Sequence, residues 1–289
     1  MTVPPTEPTP ADPGPDRLPA ELLAGVTALA RSRSSPAAER GATSDLTIDQ
    51  SLLLHAIGWE PVELVCGVSV VSVPYGIWSW GSGEISLASA AHNAAVRNAA
   101  SRLGQEAATA GGHGVVGVSV EVTIHSRHIA VELTGSAVRP SRAKGAAKAV
   151  FVSDLSARDF VLLEQAGWEP VGLAFGASFV YAPRRTMGTA MRQKGQNVEL
   201  TNFTEAMYSA REAAMARMQT SAIVMGGKGI VDVTVREGPM SFASHAVGFT
   251  AWGTAVRLAG KGHRYIRPQL VLPLDDARIL FSAESLRGD

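Results

Sequence analysis

The chain has 289 residues, a length that favours two domains, and its 26 Lys and Arg residues balance its 26 Asp and Glu residues. This balance argues against nucleic-acid or anionic-lipid partners, and a single cysteine, Cys66, excludes an intrachain disulfide or a Cys-rich zinc module. No apolar run reaches the roughly 20 residues of a membrane-spanning helix, and no signal peptide is expected at the start. A reducing, cytoplasmic location is predicted.

A Pro-rich segment opens the chain, and residues 1–43 are predicted to form a disordered tail with one short helix near residues 21–31. The pentapeptide GWEPV then occurs at residues 58–62 and again at residues 167–171. The tripeptide SDL precedes both copies at the same distance, at residues 44–46 and 153–155. This register predicts a tandem repeat. We assign the first repeat to residues 44–140, a linker to 141–152 and the second repeat to 153–260.

Each repeat is predicted to contain the same elements in the same order. A short helix (47–57 or 156–166), capped by Thr47 or Ser156, ends at a glycine and leads into a β-rich run. A long helix follows at about residues 87–110 or 202–221, and a glycine-rich turn then precedes two strands. The fold class is therefore α+β: two tandem repeats, each a small antiparallel or mixed β-sheet packed by a long helix plus a short N-terminal helix.

The second long helix carries an apolar stripe that is predicted to lie on the sheet: Phe203, Met207, Ala210, Ala214 and Met218. The spacing between equivalent positions grows from 109 to 115 residues before the second glycine-rich turn, which indicates a six-residue insertion in a loop of the second repeat.

Four stretches of the second repeat are similar to a known domain: SDLSARDFVLLEQAGWEPVGLAFGAS, GQNVELTNFTEAMYSAREAAMARM, GGKGIVDVTV and GTAV. Through them the second repeat resembles the YbjQ-like domain, whose family name refers to heavy-metal binding. The first repeat is similar, but an alanine-rich segment, residues 88–100, replaces the helix segment that bears tyrosine and arginine. The resemblance implies a compact α+β fold that assembles into rings, five-fold in the relatives. It implies little about chemistry, because a fold does not confer a function.

Candidate ligand contacts are few. His125 and His128 would point to opposite faces of an extended strand, and only a tight turn between them could bring them together; the alternative is a solvated hairpin tip. Tyr208 and Arg211 lie on the second long helix away from its apolar stripe, where they could contact a neighbouring subunit or a ligand, or simply be exposed.

A recurrent acid is found before each long helix. Glu84 and Glu199 are 115 residues apart, and each lies two residues before a predicted cap, Ser86 or Thr201. A carboxylate gains about 0.3–1 kcal/mol beside a helix N-terminus, which would explain the recurrence without a site. The sequences GGHG and GGKG precede strands, so they are not phosphate-binding loops, and no catalytic motif is present. No catalytic, cofactor-binding or metal-ligating residue is assigned, and no cofactor is expected.

These observations favour a non-catalytic, ring-forming binding or scaffold protein of unknown ligand. The alternative is a metal- or small-ligand-binding sensor or storage protein with sites at subunit junctions, to which Glu199 and Arg211 would contribute. A homo-oligomer of five chains and ten repeats is expected, with one ring for each repeat type or with the two repeats alternating in one ring. Residues 261–289 are predicted to form an extended tail on a surface of their own or a neighbouring chain, and both tails are candidate sites for a protein partner.

Overall fold

The computed structural model describes residues 43–73, 83–125, 127–143, 147, 149–184, 187–192, 199–240 and 243–260. The expectations about a helix near residues 21–31 and an extended segment after residue 260 lie outside the described residues.

Both repeats have the predicted order of elements. The first repeat contains helix α1 (Ile48–Ala56), strand β1 (Trp59–Ser72), the two-residue strand β2 (Gly83–Glu84), long helix α2 (Ser86–Thr109) and strands β3 (Gly114–Ile124) and β4 (His128–Pro140). The two-residue strand β5 (Phe151–Val152) ends the linker. The second repeat contains α3 (Ala157–Gln165), β6 (Trp168–Tyr181), α4 (Met187–Arg192), α5 (Thr201–Val224), β7 (Gly229–Met240) and β8 (Ala243–Leu258). The α+β class with two tandem repeats is confirmed, and α4 lies where the insertion falls.

The short helices are capped as predicted. The hydroxyl of Thr47 accepts from the Gln50 N–H at 3.3 Å, and the Gln50 side chain accepts from the Thr47 N–H at 3.0 Å, which completes a capping box. Ser156 Oγ accepts from the Asp159 N–H at 3.2 Å. Gly58 and Gly167, with φ of 78° and 81°, supply the left-handed residue after each helix.

The caps predicted for the long helices are wrong. The N-cap positions are Ile85 and Leu200, neither of which makes a side-chain capping bond, and Ser86 and Thr201 are the first helical residues. In the first repeat the helix entry is fixed by strand pairing instead, because the Ile85 N–H donates to the Phe179 carbonyl at 2.7 Å.

The two sheets exchange short strands. The first sheet has the order β1-β4-β3-β5, and the second has the order β2-β6-β8-β7. Strand β5, at the end of the predicted linker (residues 141–152), pairs in parallel with β3 of the first repeat. Strand β2 of the first repeat pairs antiparallel with β6 of the second. The linker therefore adds a strand to the first sheet in addition to connecting the two repeats.

Each long helix lies against the first strand of its own repeat at a glycine. A Cβ on Gly67 would lie 2.2 Å from the Ala99 carbonyl oxygen, and one on Gly176 would lie 2.1 Å from that of Ala214. Only glycine permits this approach. The predicted apolar stripe of α5 is confirmed: Ala210, Ala214 and Met218 are buried, and Phe203 and Met207 pack against them partly buried.

The glutamate of the repeated pentapeptide also has one structural role in both repeats. Glu60 pairs with Arg139 at 2.6 Å, and Glu169 pairs with Arg257 at 2.5 Å, so each glutamate joins the start of the first strand to the end of the last. The pentapeptide recurs because it makes the same joint twice.

Candidate functional site

The junction between the repeats is centred on Glu84. Strand β2 places this carboxylate beside the second sheet, where Arg217 donates to both of its oxygens, to Oε2 at 2.9 Å. Ser178 Oγ donates to Oε1 at 2.9 Å. The hydrogen bond from Arg217 is the main reason why the pKa of Glu84 falls to about 2, so this residue is ionised at neutral pH. Glu84 thus joins the two repeats instead of capping a helix.

Helix α2 contributes further bonds across the junction. The amide of Asn93 donates to the Ala177 carbonyl at 3.0 Å and accepts from the Ala177 N–H at 3.1 Å. Ser89 Oγ accepts from the Phe179 N–H at 3.0 Å. These side chains satisfy backbone groups on the outer edge of β6, and the apolar residues of α2, β3 and β6 form one buried cluster.

An aromatic cluster closes the other side of the junction. Trp59, from the first copy of the pentapeptide, lies edge-on to Phe160 of α3 at 5.1 Å and to Phe151 of β5 at 6.1 Å between ring centroids. The Phe151 ring lies over Gly114, where an added Cβ would be 2.0 Å away. The first tryptophan therefore packs between the two repeats.

Beside this junction Asp154 follows β5. Its carboxylate accepts from Thr254 Oγ1 at 2.5 Å, as that of Asp45 accepts from Ser136 in the first repeat. Burial raises the pKa of Asp154 to about 6, and the hydrogen bond from Thr254 only partly offsets this effect.

A histidine is buried in the same junction. His92 lies on α2 with its ring centroid 5.6 Å from that of Phe179, and neither ring nitrogen has a hydrogen-bond partner among the described residues. Burial lowers the pKa of His92 to about 4, so the imidazole is neutral at physiological pH.

The remaining candidates from the second repeat lie around α5. Glu199 precedes the helix and accepts from Thr204 Oγ1 at 2.9 Å. Tyr208 and Arg211 lie exposed on the helix, and no ion pair joins Arg211 to Glu199 in the part of the chain that the structure describes. The fold thus brings Glu84 into a bonded junction and leaves these three residues on an open surface.

The His125 and His128 rings lie together at the tip of the β3–β4 hairpin. Their centroids are 4.3 Å apart, and the His125 N–H donates to the His128 carbonyl at 2.9 Å. The sequence predicted that these side chains would point to opposite faces unless the chain turned tightly between them, and the structure brings the two rings together. Across the described ranges no group of three or more His, Cys, Asp or Glu residues is placed to hold a metal ion.

The only cysteine is half-buried, with Cys66 Sγ 3.8 Å from Glu132 Oε1. Burial raises the pKa of this thiol, and the nearby carboxylates add to the effect. A thiol with a raised pKa is a poor nucleophile and a poor metal ligand at neutral pH.

Sequence reasoning missed Arg217, the partner of Glu84, because 133 residues separate the two. The signal that could have found it is the repeat itself. Arg102 and Arg217 are 115 residues apart, as are Glu84 and Glu199. Two opposite charges that recur with one spacing indicate a pair.

The sequence model of the family described as "Putative heavy-metal-binding" matches residues 186–259. The encapsulin nanocompartment protein Rv1762c of Mycobacterium tuberculosis (strain H37Rv) is 36% identical over 246 residues, which cover 82% of this chain and 94% of that protein. No solved structure matches the chain. Among the described residues, no helix is long and apolar enough to cross a membrane. The chain belongs to the YbjQ-like family, the same family as this mycobacterial relative.

Proposed function

We propose that this chain is a non-catalytic scaffold protein that assembles with copies of itself into a closed ring. The observation that carries the proposal is an apolar surface on outer strands of both sheets, where Val68, Val70, Val233 and Val235 are exposed. Exposed β-branched residues on outer strands favour pairing with another chain. The name of the mycobacterial relative, a nanocompartment protein, supports an assembly role.

A structural role for the charged groups supports the non-catalytic part of the proposal. Glu84 is held by an arginine and a serine, and Asp154 by a threonine. A catalytic acid or base needs access to a substrate, and these groups are occupied in joining elements. A reducing, cytoplasmic location is part of the proposal, and the presence of only one cysteine supports it.

Native mass spectrometry tests the proposal. One chain has a mass of 30.2 kDa, so a particle of about five times that mass would support a ring of five chains and ten repeats. Another whole multiple would support assembly and reject the number five. A protein that remains at 30.2 kDa at micromolar concentration would reject the scaffold function.

A second candidate function is the binding of a small ligand. A cavity of about 400 Å³ lies between α5 and the β7–β8 hairpin, with a mainly apolar lining: Phe203, Met207, Ala210, Glu237, Val247, Gly248 and Phe249. This volume lies in the range of small-molecule sites. In this alternative Glu199 and Arg211 contribute to sites for a metal or small ligand at subunit junctions, and a metal ion would be bound by the carboxylate and not by the guanidinium. Elemental analysis and native mass spectrometry of untagged protein decide: stoichiometric metal or a retained small molecule would favour it over the pure scaffold.

A further inference from the structure

The contact between the two repeats is directional, since each repeat uses a different surface. The first repeat contributes the outer face of α2, strand β3 and the residue Glu84. The second contributes the outer face of its sheet, the segment 151–155 and helix α3. Because the repeats share one fold, the second repeat also has the surface that the first uses here, and the first has the surface that the second uses. These two surfaces lie open at opposite ends of the chain.

The open surface of the second repeat lies on β7, α5 and Glu199, and we call it the trailing surface. Val118 of β3 is 5% exposed because the second repeat covers it, whereas its equivalent on β7, Val233, is 42% exposed. A Cβ on Gly114 would meet the Phe151 ring at 2.0 Å. On the equivalent Gly229 it would meet nothing closer than the side chain of Val256 at 3.7 Å. Within the described ranges, this edge is covered in the first repeat and uncovered in the second.

The open surface of the first repeat lies on α1 and the outer face of β1, and we call it the leading surface. Phe179 of β6 is 1% exposed against α2, whereas its equivalent on β1, Val70, is 61% exposed. Val161 of α3 is 3% exposed, whereas its equivalent on α1, Leu52, is 62% exposed. Leucine and valine at such exposure on an outer surface indicate a missing partner.

The charged residues show the same difference between the junction and the two open surfaces. Arg217 donates to the Ala177 carbonyl at 2.9 Å and holds Glu84. Its equivalent on α2, Arg102, donates to the Val68 carbonyl, the position that corresponds to Ala177. Within the described residues Arg102 pairs with no carboxylate. Its guanidinium is partly desolvated, which lowers its pKa. The carboxylate equivalent to Glu84 is that of Glu199, at the other end of the chain.

We propose that the trailing surface of one chain binds the leading surface of a second copy, and that this contact reproduces the junction between the two repeats. In it Glu199 pairs with Arg102 of the next chain, Val233 and Tyr208 lie against the face that bears Val70, and residues 44–46 pair with the edge of β7. The first and second repeats therefore alternate around a single ring. The inference rests on the proposed scaffold function and specifies its interface.

This arrangement follows from the pattern of occupied and vacant surfaces. Separate rings for each repeat type would require the first repeat to bind another first repeat, yet the start of its β3 edge, at Gly114 and Val115, is already paired with β5 of its own chain. A directional contact closes only as a ring or continues as a filament. A ring of alternating repeats contains twice as many repeats as chains, so five chains and ten repeats remain compatible with it.

Charge exchange between chains provides the test. Glu199→Arg and Arg102→Glu each place like charges in the contact, and we expect each variant to raise the apparent dissociation constant at least about 30-fold, the equivalent of about 2 kcal/mol. The double variant, with Glu199→Arg and Arg102→Glu in one chain, restores opposite charges at every contact whatever the number of chains. We therefore expect native mass spectrometry to show the wild-type mass again in the double variant.

A matched pair of apolar substitutions tests the same contact without charge reversal. Val233→Lys lies within the trailing surface and is expected to reduce assembly. Val224→Lys lies on the last turn of α5, outside the contact, because its equivalent in the first repeat, Thr109, is exposed although the second repeat covers α2. We expect this control to leave the mass unchanged. Circular dichroism of each variant confirms folding. Wild-type particles that persist in Glu199→Arg, Arg102→Glu and Val233→Lys would overturn this interface but leave the scaffold function standing. A wild-type protein of 30.2 kDa would reject both.

Discussion

His92 is a buried residue whose ionisation opposes folding. Its pKa of about 4 lies below the ordinary value of 6.5, so the unfolded chain binds a proton that the folded chain rejects, and the free energy of unfolding falls as pH decreases from about 6.5 to 4. Met207 occupies the equivalent position in the second repeat. We expect His92→Met to remove this loss, on the order of 2 kcal/mol at pH 5.

Urea denaturation of wild type and His92→Met at pH 5 and pH 7.5 measures this effect. Thr109→Met, at an exposed position of the same helix where no ionisable group is changed, serves as the control and should keep the wild-type dependence on pH. Equal losses of stability on acidification in wild type and His92→Met would contradict the prediction.

Asp154 has the opposite dependence. Its pKa of about 6 lies above the ordinary value of 3.8, so the folded chain binds the extra proton, and the free energy of unfolding falls as pH rises from about 4 to 6. An asparagine could still accept from Thr254 and would carry no charge. The free energy of unfolding of Asp154→Asn should therefore exceed that of wild type by on the order of 3 kcal/mol at pH 7 and should equal it near pH 3.5.

Chemical denaturation across this pH range checks the change in slope. Because His92 and Asp154 act in opposite directions over overlapping ranges of pH, their contributions partly cancel in the wild-type profile, and the two variants reveal them separately. If the free energy of unfolding of Asp154→Asn changed with pH in parallel with that of wild type, the buried carboxylate would not be the cause of the loss of stability between about pH 4 and 6.

At the scale of elements, the glycine of each first strand sets how closely the long helix packs. In Gly176→Ala the new Cβ would lie 2.1 Å from the Ala214 oxygen and 2.6 Å from the Met218 nitrogen, both backbone atoms of α5. These atoms can move away only if the whole helix shifts. We expect the free energy of unfolding to fall by about 3 kcal/mol or more. In Gly188→Ala, within α4, the new Cβ has no atom within 4 Å, and the free energy of unfolding should rise by about 0.4–1 kcal/mol. Thermal unfolding of both variants measures the difference, and similar midpoints would contradict this packing.

The sequence predicted the long elements because their signals are local. Capping at Thr47 and the apolar stripe of α5 lie within a few residues of the helices that they define, and the repeat doubled every signal. The exchanged strands β2 and β5 could not be predicted, since two residues have no period and their partners lie in the other repeat. The site shows the same division: the recurrence of Glu84 was visible, but Arg217 became its partner only through tertiary structure.

For the whole molecule, we expect the two repeats to unfold together. One buried cluster contains Leu103 and Val118 of the first repeat and Phe179 and Trp252 of the second, so neither repeat has a complete core alone. Differential scanning calorimetry should therefore show a single transition, at a protein concentration where assembly is constant. Two separate transitions would indicate independent repeats and would contradict a shared core.

The exchange of short strands also has a consequence during synthesis. The first repeat leaves the ribosome before β5 and β6 exist, so the edge of β3 and the outer face of α2 are exposed until about 40 more residues have been made. On a polysome, a neighbouring nascent chain can supply β5 to that edge in place of the chain's own segment. Slow translation after residue 140 would then increase the yield of chains joined through the wrong junction, and codon choice in that stretch becomes a determinant of correct assembly.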